Sequence, residues 1–367
     1  MKILITCPRA PISIEWIKIA KQSACEVILV DSLDYPISIF YDKKIPYVKV
    51  ASPRLDFESY KKEMEKLFLE VDIVIPNCED IFFLSKIKDE SNPKALFFMP
   101  PNELLFELHN KSVFHKYLNS HIKIPKTTVV TKKEEIQEDL NTILKPVFSR
   151  FGRSVIRGVT KEKIKDIDIS EDYPWVQQEY INGTALCNYA ICQDGVVISH
   201  VIYKPKYLLN QAASTYFEYY EEKRLDDFIK EFAKDTNYTG QVAFDFIDDG
   251  KDIYILECNP RATSGLHLIS TAIKIDKYRD FKQVSKIPKV SYRVGFSLFI
   301  LFGIQALLKG EFKTLLNDHK KAKDVLVGLP FYAQFISFYE MIKRTFIHKK
   351  PLTNASTFDI EYDGENK

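Results

Sequence analysis

The chain has 367 residues, 46% of them apolar and 28% charged, so it is long enough for two or three domains with buried cores. Its 52 Lys and Arg residues nearly balance 50 Asp and Glu residues, which argues against disorder and against nucleic acid or another general polyanion as partner. A multidomain globular protein is the starting hypothesis.

The cysteines, the amino terminus and the longest apolar stretch indicate where the protein is located. Six cysteines occur without a CxxC pair, which indicates reduced, buried thiols. The amino terminus lacks the features of a secretory signal, and this favours a cytoplasmic location. The longest apolar stretch, 294–308, falls short of the ~20 residues of a membrane span, so we expect no span. A buried helix is the favoured interpretation of this stretch, and a membrane-surface segment is the alternative.

Residues 1–100 alternate short β-rich runs with helical ones. This pattern predicts a Rossmann-like parallel α/β domain, which we place at 1–105. Ligands of such sheets gather at the carboxyl ends of the strands, where Arg9 and Glu79 are candidate substrate contacts. No GxGxxG motif for dinucleotide binding follows the first strand, and this absence argues against a dehydrogenase.

Consecutive prolines at 100–101 predict a domain boundary, because proline cannot continue a helix. A helix over 109–118 and a polar turn at 149–154 between two strands are expected next. Residues 185–203 predict a hairpin turned by Asp-Gly, and 221–235 an amphipathic helix.

The most informative feature is a second predicted hairpin, over 242–259. A three-residue loop at 250–252 would place Asp245 directly opposite Glu257, with Asn259 on the same face as Glu257. Facing carboxylates repel unless a cation lies between them. A solvated acidic hairpin is the simpler alternative, but the flanking residues are nearly all apolar.

Oxygen ligands of this kind suit Mg²⁺ better than Zn²⁺. Asp245, Glu257 and Asn259 are therefore the candidate metal ligands. Arg261 follows two residues later and is the candidate catalytic residue, since a cation there could stabilise charge on a transferring phosphoryl group.

The run from Asp245 to Glu257-Cys258-Asn259-Pro260-Arg261 resembles the metal-binding acid and the E-x-N-P-R signature of the ATP-grasp superfamily. The resemblance is to the carboxylate–amine ligases related to biotin carboxylase and the carbamoyl phosphate synthetase large subunit. It implies ATP with Mg²⁺, or alternatively Mn²⁺, and it implies that Arg261 faces the reacting carboxylate.

The same resemblance implies further nucleotide contacts at matching positions: Lys111, Lys145, Gln178, Glu179, Ile181 and Lys204. The sequence departs from the family pattern at two places. Position 185 is alanine where relatives commonly have an acid that holds the ribose. The phosphate-covering loop at 149–154 has one glycine, and its arginines Arg150 and Arg153 are candidate substrate contacts.

Ser264 and His267 follow the signature and are further candidate substrate contacts. His267 could transfer a proton, although a hydrogen-bonded structural histidine is about as well supported.

The resemblance implies an α/β and α+β multidomain fold, with the N-terminal domain followed by a two-subdomain ATP-grasp fold at 106–275, divided near 175. A mainly helical region with a final strand at 355–364 completes the chain over 276–367. Its apolar helices, 294–308 and 325–343, are expected to bury against the first domain or to form a homodimer contact.

The function implied is an ATP-dependent ligase that activates a small-molecule carboxylate as an acyl-phosphate for attack by an amine or another nucleophile. Two alternatives stay open. One is a phosphotransferase that uses the same ATP site. The other is a nucleotide-binding protein that has lost turnover.

Overall fold

The computed structural model describes residues 1–118, 122–149, 154–209 and 213–364. These residues form a parallel α/β layer, two mainly antiparallel sheets and a helical C-terminal region. This architecture confirms the predicted fold class.

Residues 1–118 contain a parallel sheet in the order β3-β2-β1-β4-β5. Its strands and helices are β1 (Lys2–Thr6), α1 (Ile12–Gln22), β2 (Glu26–Asp31), β3 (Tyr47–Lys49), α2 (Phe57–Phe68), β4 (Ile73–Ile75), α3 (Asp80–Ser91) and β5 (Leu96–Phe97). In β1, Ile3 and Ile5 pack in one core with α1, and Leu4 packs in another with α2 and α3. The strands are apolar on both faces because helices cover both.

The chain leaves this domain through α4 (Asn102–His109), which begins directly after Pro101. The predicted helix over 109–118 is wrong, because α4 ends at His109 and only a 3₁₀ turn follows at Phe114–Tyr117. An antiparallel sheet, β6-β9-β7-β8, then spans the described residues up to 179. Its elements are β6 (Thr127–Val130), β7 (Asp139–Pro146), β8 (Ile156–Val159), α5 (Lys161–Ile164) and β9 (Trp175–Glu179).

The next sheet carries the acidic hairpin. Its first elements are β10 (Thr184–Gln193), β11 (Val196–Leu209), β12 (Ala213–Tyr220), α6 (Lys223–Asp235), β13 (Gly240–Asp248) and β14 (Ile253–Asn259). The predicted turn between β10 and β11 is confirmed, because Asp194 and Gly195 have φ values of 50° and 77°, as a two-residue hairpin turn requires. Helix α6 buries the predicted apolar stripe against β10 and β13.

The C-terminal region contributes strands as well as helices. It follows α7 (Leu266–Ile269) and contains β15 (Ile273–Ile275), β16 (Phe281–Gln283), β17 (Tyr292–Arg293), α8 (Ser297–Leu308), α9 (Phe312–Lys321), β18 (Lys323–Asp324), α10 (Phe331–His348) and α11 (Leu352–Ala355). Within the described part, β17 and β18 extend the large sheet beyond β12.

Helix α8 forms where the apolar stretch predicted a helix, but the prediction that it is buried is wrong. Ile300, Ile304 and Leu308 are 77%, 76% and 84% exposed. Helix α10 begins at Phe331 and ends at His348, not at 325 and 343. Among the described helices, none is long and apolar enough to cross a membrane.

The predicted strand over 355–364 is also wrong. The segment forms a 3₁₀ turn at Phe358–Ile360 and lies along the first domain. Its acids pair with arginines there instead of alternating along a strand: Asp359 is buried against Arg9, and Asp363 contacts Arg54. Tyr362 stacks on Phe82 with ring centroids 5.1 Å apart. The tail of the C-terminal region therefore packs against the N-terminal domain.

Candidate active site

The hairpin of β13 and β14 brings Asp245 and Glu257 face to face. Its loop spans 249–252, one residue longer than predicted, since Asp248 pairs with Ile253. A bulge at Leu256 takes up the difference and restores the pairing of Asp245 with Glu257. The predicted register at the two acids is thus observed, although for a different geometric reason.

Asn259 completes this acidic cluster. Its Nδ2 lies 3.3 Å from Asp245 Oδ2 and 3.5 Å from Glu257 Oε1. Burial, and then the charge of Glu257, raise the pKa of Asp245 to about 7. Burial alone would also raise the pKa of Glu257, but Lys111 and Lys145 outweigh it and hold that pKa well below its usual value. A cation bound between the two carboxylates would favour the charged form of both.

Two lysines from distant parts of the chain lie beside this cluster. Lys111 Nζ is 3.3 Å from Glu257 Oε2 and donates to the Ser149 carbonyl at 2.8 Å. Lys145 is buried on β7, and its Nζ donates to the Leu256 carbonyl at 3.2 Å. Because Leu256 is on β14, Lys145 bridges the two antiparallel sheets at the acidic cluster.

The side chain of Gln178 orients Lys145. Gln178 Oε1 accepts from Lys145 Nζ at 3.0 Å, and its Nε2 donates to Thr127 Oγ1 at 2.8 Å. Burial lowers the pKa of Lys145 to about 8, although the charge of Glu257 opposes the shift. Among the described residues, the acceptors of this buried amine are carbonyl oxygens, so the amine is suited to receive an anionic ligand.

The donor set fits Mg²⁺. The two carboxylates provide oxygen ligands, which is the chemistry that Mg²⁺ prefers when phosphates and water complete its shell. The Asn259 amide turns its Nδ2 toward both carboxylates here, so it would have to rotate to offer its Oδ1 to the same ion. Within the described residues no group of three or more His, Cys, Asp and Glu side chains could hold a metal ion. The cluster therefore fits an ion that a nucleotide helps to bind better than a protein-only zinc site.

Arg261 joins this cluster to the first domain. Its Nη2 donates to Asn259 Oδ1 at 3.2 Å and lies 3.7 Å from Glu79 Oε1. Its Nε is buried and has no hydrogen-bond partner among the described residues. Glu79, buried directly before α3, also accepts from the Tyr362 backbone N–H at 3.2 Å. The C-terminal tail thus reaches the site through Glu79, and no sequence signal indicated that contact.

Residues 108–265 match the family model of the ATP-grasp domain. This part of the chain is an ATP-grasp domain. No curated protein sequence matches it. The family match lies inside the predicted limits of 106–275, whose ends stay a prediction.

Several solved structures resemble the chain in fold. An ADP complex of N5-carboxyaminoimidazole ribonucleotide synthetase is 12% identical, with a TM-score of 0.63 over 84% of this chain and 85% of that one. An L-amino acid ligase from Bacillus licheniformis is 18% identical, with a TM-score of 0.54 over 74% and 70%. The biotin carboxylase domain of Hydrogenobacter thermophilus 2-oxoglutarate carboxylase, in complex with MgADP and bicarbonate, is 15% identical, with a TM-score of 0.57 over 75% and 67%.

Other predicted nucleotide contacts of the ATP-grasp domain have partners outside the cluster or are partly exposed. Lys204 Nζ sits 3.8 Å from the centroid of the Tyr220 ring. The Glu179 side chain is exposed and accepts from the Lys126 N–H at 3.3 Å, and Ile181 is half-buried just beyond β9. Their contacts with adenine or phosphate remain predictions.

Two candidate substrate residues have buried partners instead. Arg9 is ion-paired with Asp31 and Asp359. His267 Nδ1 lies 3.0 Å from Glu15 Oε1 and its ring stacks on Phe217, which favours the structural interpretation of this histidine. The structure therefore leaves neither side chain open to a ligand.

For the remaining candidate substrate contacts, the structure gives little or no information. Ser264 offers its carbonyl to the His267 N–H and is half-buried. Arg150 and Arg153 lie outside the described residues. Of the predicted set, the structure brings together Asp245, Glu257, Asn259, Lys111, Lys145, Gln178, Arg261 and Glu79.

Proposed function

We infer that this protein is an ATP-dependent ligase that phosphorylates a small-molecule carboxylate and lets an amine or another nucleophile displace the phosphate. The observation that carries the proposal is the convergence of Lys111 and Lys145 on the Asp245–Glu257 pair. The match of residues 108–265 to the ATP-grasp domain and the fold shared with an L-amino acid ligase support it.

The side chains have separate tasks in this reaction. Lys111 and Lys145 bind phosphate oxygens, and Gln178 keeps the Lys145 amine directed toward the acidic cluster. Mg²⁺, or Mn²⁺, held by Asp245 and Glu257 with Asn259 would neutralise phosphate charge. Catalysis is then largely a matter of placement and charge stabilisation.

Arg261 is placed to bind the acceptor. Its unpaired, buried Nε is a donor for a carboxylate, and its position beside Asn259 puts that carboxylate next to the phosphates. A carboxylate oxygen attacks the γ-phosphorus and ADP leaves. The nucleophile then attacks the acyl carbon of the acyl-phosphate, inorganic phosphate leaves with the bridging oxygen, and the nucleophile gives up its proton. No covalent bond to the protein is required.

The limits 1–105, 106–275 and 276–367 are part of this proposal. A phosphate site between the two antiparallel sheets needs both subdomains, because Lys145 comes from β7 and Glu257 from β14. The C-terminal region supports the larger sheet through β17 and β18.

The test is Glu257→Gln, compared with Glu70→Gln on an exposed surface as a matched control. ADP formation is measured with Mg²⁺ across a panel of carboxylates, including amino acids, each with an amine acceptor. We expect Glu257→Gln to lower turnover by about 100-fold or more, because one charged ligand is lost, while the control is unchanged. Far-UV circular dichroism checks that both variants fold.

Normal ADP production by Glu257→Gln would refute the proposed site. Transfer of labelled phosphate from ATP to a hydroxyl acceptor would identify a phosphotransferase instead. Calorimetric binding of ATP without ADP release across the panel would favour a nucleotide-binding protein without turnover.

A further inference from the structure

Helix α8 presents an apolar face to solvent. Side chains at helical spacing share it, and each is at least 44% exposed: Phe296, Ile300, Leu301, Ile304, Leu307 and Leu308. The helix from Ser297 to Leu308 has no charged residue. Exposed aliphatic side chains in such a continuous row mark an interaction surface rather than ordinary surface scatter.

Helix α10 has a similar face, rich in aromatic rings. Its exposed members are Phe331, Tyr332, Phe335, Phe338, Tyr339, Phe346 and Ile347. The opposite side of the helix packs on the protein through buried Ala333 and Glu340. The two helices approach each other near their starts, where a Cβ on Gly295 would lie 3.5 Å from Gln334 Oε1.

The surrounding charge is positive. Residues 297–350 contain nine Lys and Arg residues against four Asp and Glu residues, whereas the whole chain is nearly neutral at +2. Lys309, Lys313, Lys320 and Lys321 are exposed and make no ion pair within the described part of the chain. The positive charge is therefore available to an external anionic surface.

The exposed apolar faces and the positive charge around them favour a membrane surface as the partner of α8 and α10. Apolar and aromatic faces flanked by lysine are typical of helices that lie in the interface of an anionic membrane. A second copy of the chain would bring the same positive charge to the contact, which disfavours it.

We propose that α8 and α10 dock this protein on the surface of a membrane that contains anionic lipid. Ile304 and Leu308 on α8 and Phe335 and Phe346 on α10 enter the interface, while the lysines contact the headgroups. Docking is independent of the ligase reaction proposed above, since none of these side chains belongs to that site.

The experiment is co-sedimentation of the full-length protein with vesicles of phosphatidylcholine alone or mixed equally with phosphatidylglycerol. We expect binding to the mixed vesicles to be about tenfold tighter and to weaken as salt is added. The double variants Ile304→Glu with Leu308→Glu, and Phe335→Glu with Phe346→Glu, should each lose about tenfold in affinity.

The matched control is Leu69→Glu with Leu140→Glu, which also replaces two apolar side chains that are 87% and 74% exposed but lie on other domains. It makes the same change in charge and should bind as the parent does. Equal binding by all the variants would overturn the proposal. So would light scattering that gives a dimer for the parent and a monomer for the α8 variant, because a second copy would then cover the face.

Discussion

Replacing Asp359 by asparagine tests the attachment of the C-terminal tail to the first domain. The Asp359 carboxylate is buried and accepts from Arg9 Nη1 at 2.7 Å and Nη2 at 2.9 Å. Arg344 Nη1 lies 3.0 Å away, and the Ser32 hydroxyl donates to the same group. An asparagine amide would turn a donor toward these guanidinium groups and remove their shared negative charge.

The expected loss is about 3 kcal/mol in the free energy of unfolding, the low end for breaking a buried ion pair. The low end applies because both arginines retain another acidic partner in the variant. Arg9 still pairs with Asp31, and Arg344 Nε lies 3.7 Å from Glu340 Oε1. Asp34→Asn is the matched control, since Asp34 also joins the first domain to α10 through Lys343 but is partly exposed. It should cost less than about 1 kcal/mol.

The difference in the free energy of unfolding between the parent and Asp359→Asn should depend on pH. Burial alone would raise the pKa of Asp359, but Arg9 and then Arg344 outweigh it and place the pKa below its usual value. A depressed pKa adds stability above the unfolded value of about 3.9, and that stability is lost as pH falls below it. The gap between the parent and Asp359→Asn should therefore be constant from about pH 5 to 7 and shrink below about pH 4.

Urea unfolding followed by tryptophan fluorescence measures this, because Trp16 is buried in the first domain between Phe98 and Phe281. A cost for Asp359→Asn no larger than that for Asp34→Asn would refute the buried ion pair. A gap that persists unchanged into acid would refute the electrostatic explanation.

Three further predictions concern packing and the site. Gly265→Ala should lower the free energy of unfolding by at least about 2 kcal/mol, because the new Cβ would lie 2.2 Å from the Cβ of a buried tyrosine. Gly303→Ala is the control in the same urea assay. It should stabilise the protein slightly, because the added Cβ meets open space in α8. Calorimetry should find that ATP binding weakens as pH rises above about 8, where Lys145 loses its charge, and that Lys145→Ala binds weakly without this dependence. Glu79→Gln should lower kcat more than it changes KM for ATP, because the substitution disturbs Arg261 rather than the phosphate contacts. An unchanged kcat would show that Glu79 does not position Arg261.

The sequence alone located the acidic hairpin. Strand alternation and a glycine-containing loop are local features, so the pairing of Asp245 with Glu257 followed from spacing even though the loop was one residue longer. The lysines were found only through family resemblance, because nothing in a local pattern places Lys111 and Lys145 beside a hairpin a hundred residues away.

Tertiary structure decided the rest. The acids of the tail alternate as in a strand, yet they pair with arginines of the first domain, since a buried charge requires a charged partner. The apolar run of α8 predicted burial, but burial depends on what packs against a helix, and the described chain leaves Ile304 and Leu308 uncovered. Sequence thus fixes local register and ligand chemistry, whereas long-range packing decides which side chains reach the site and which remain exposed for a partner.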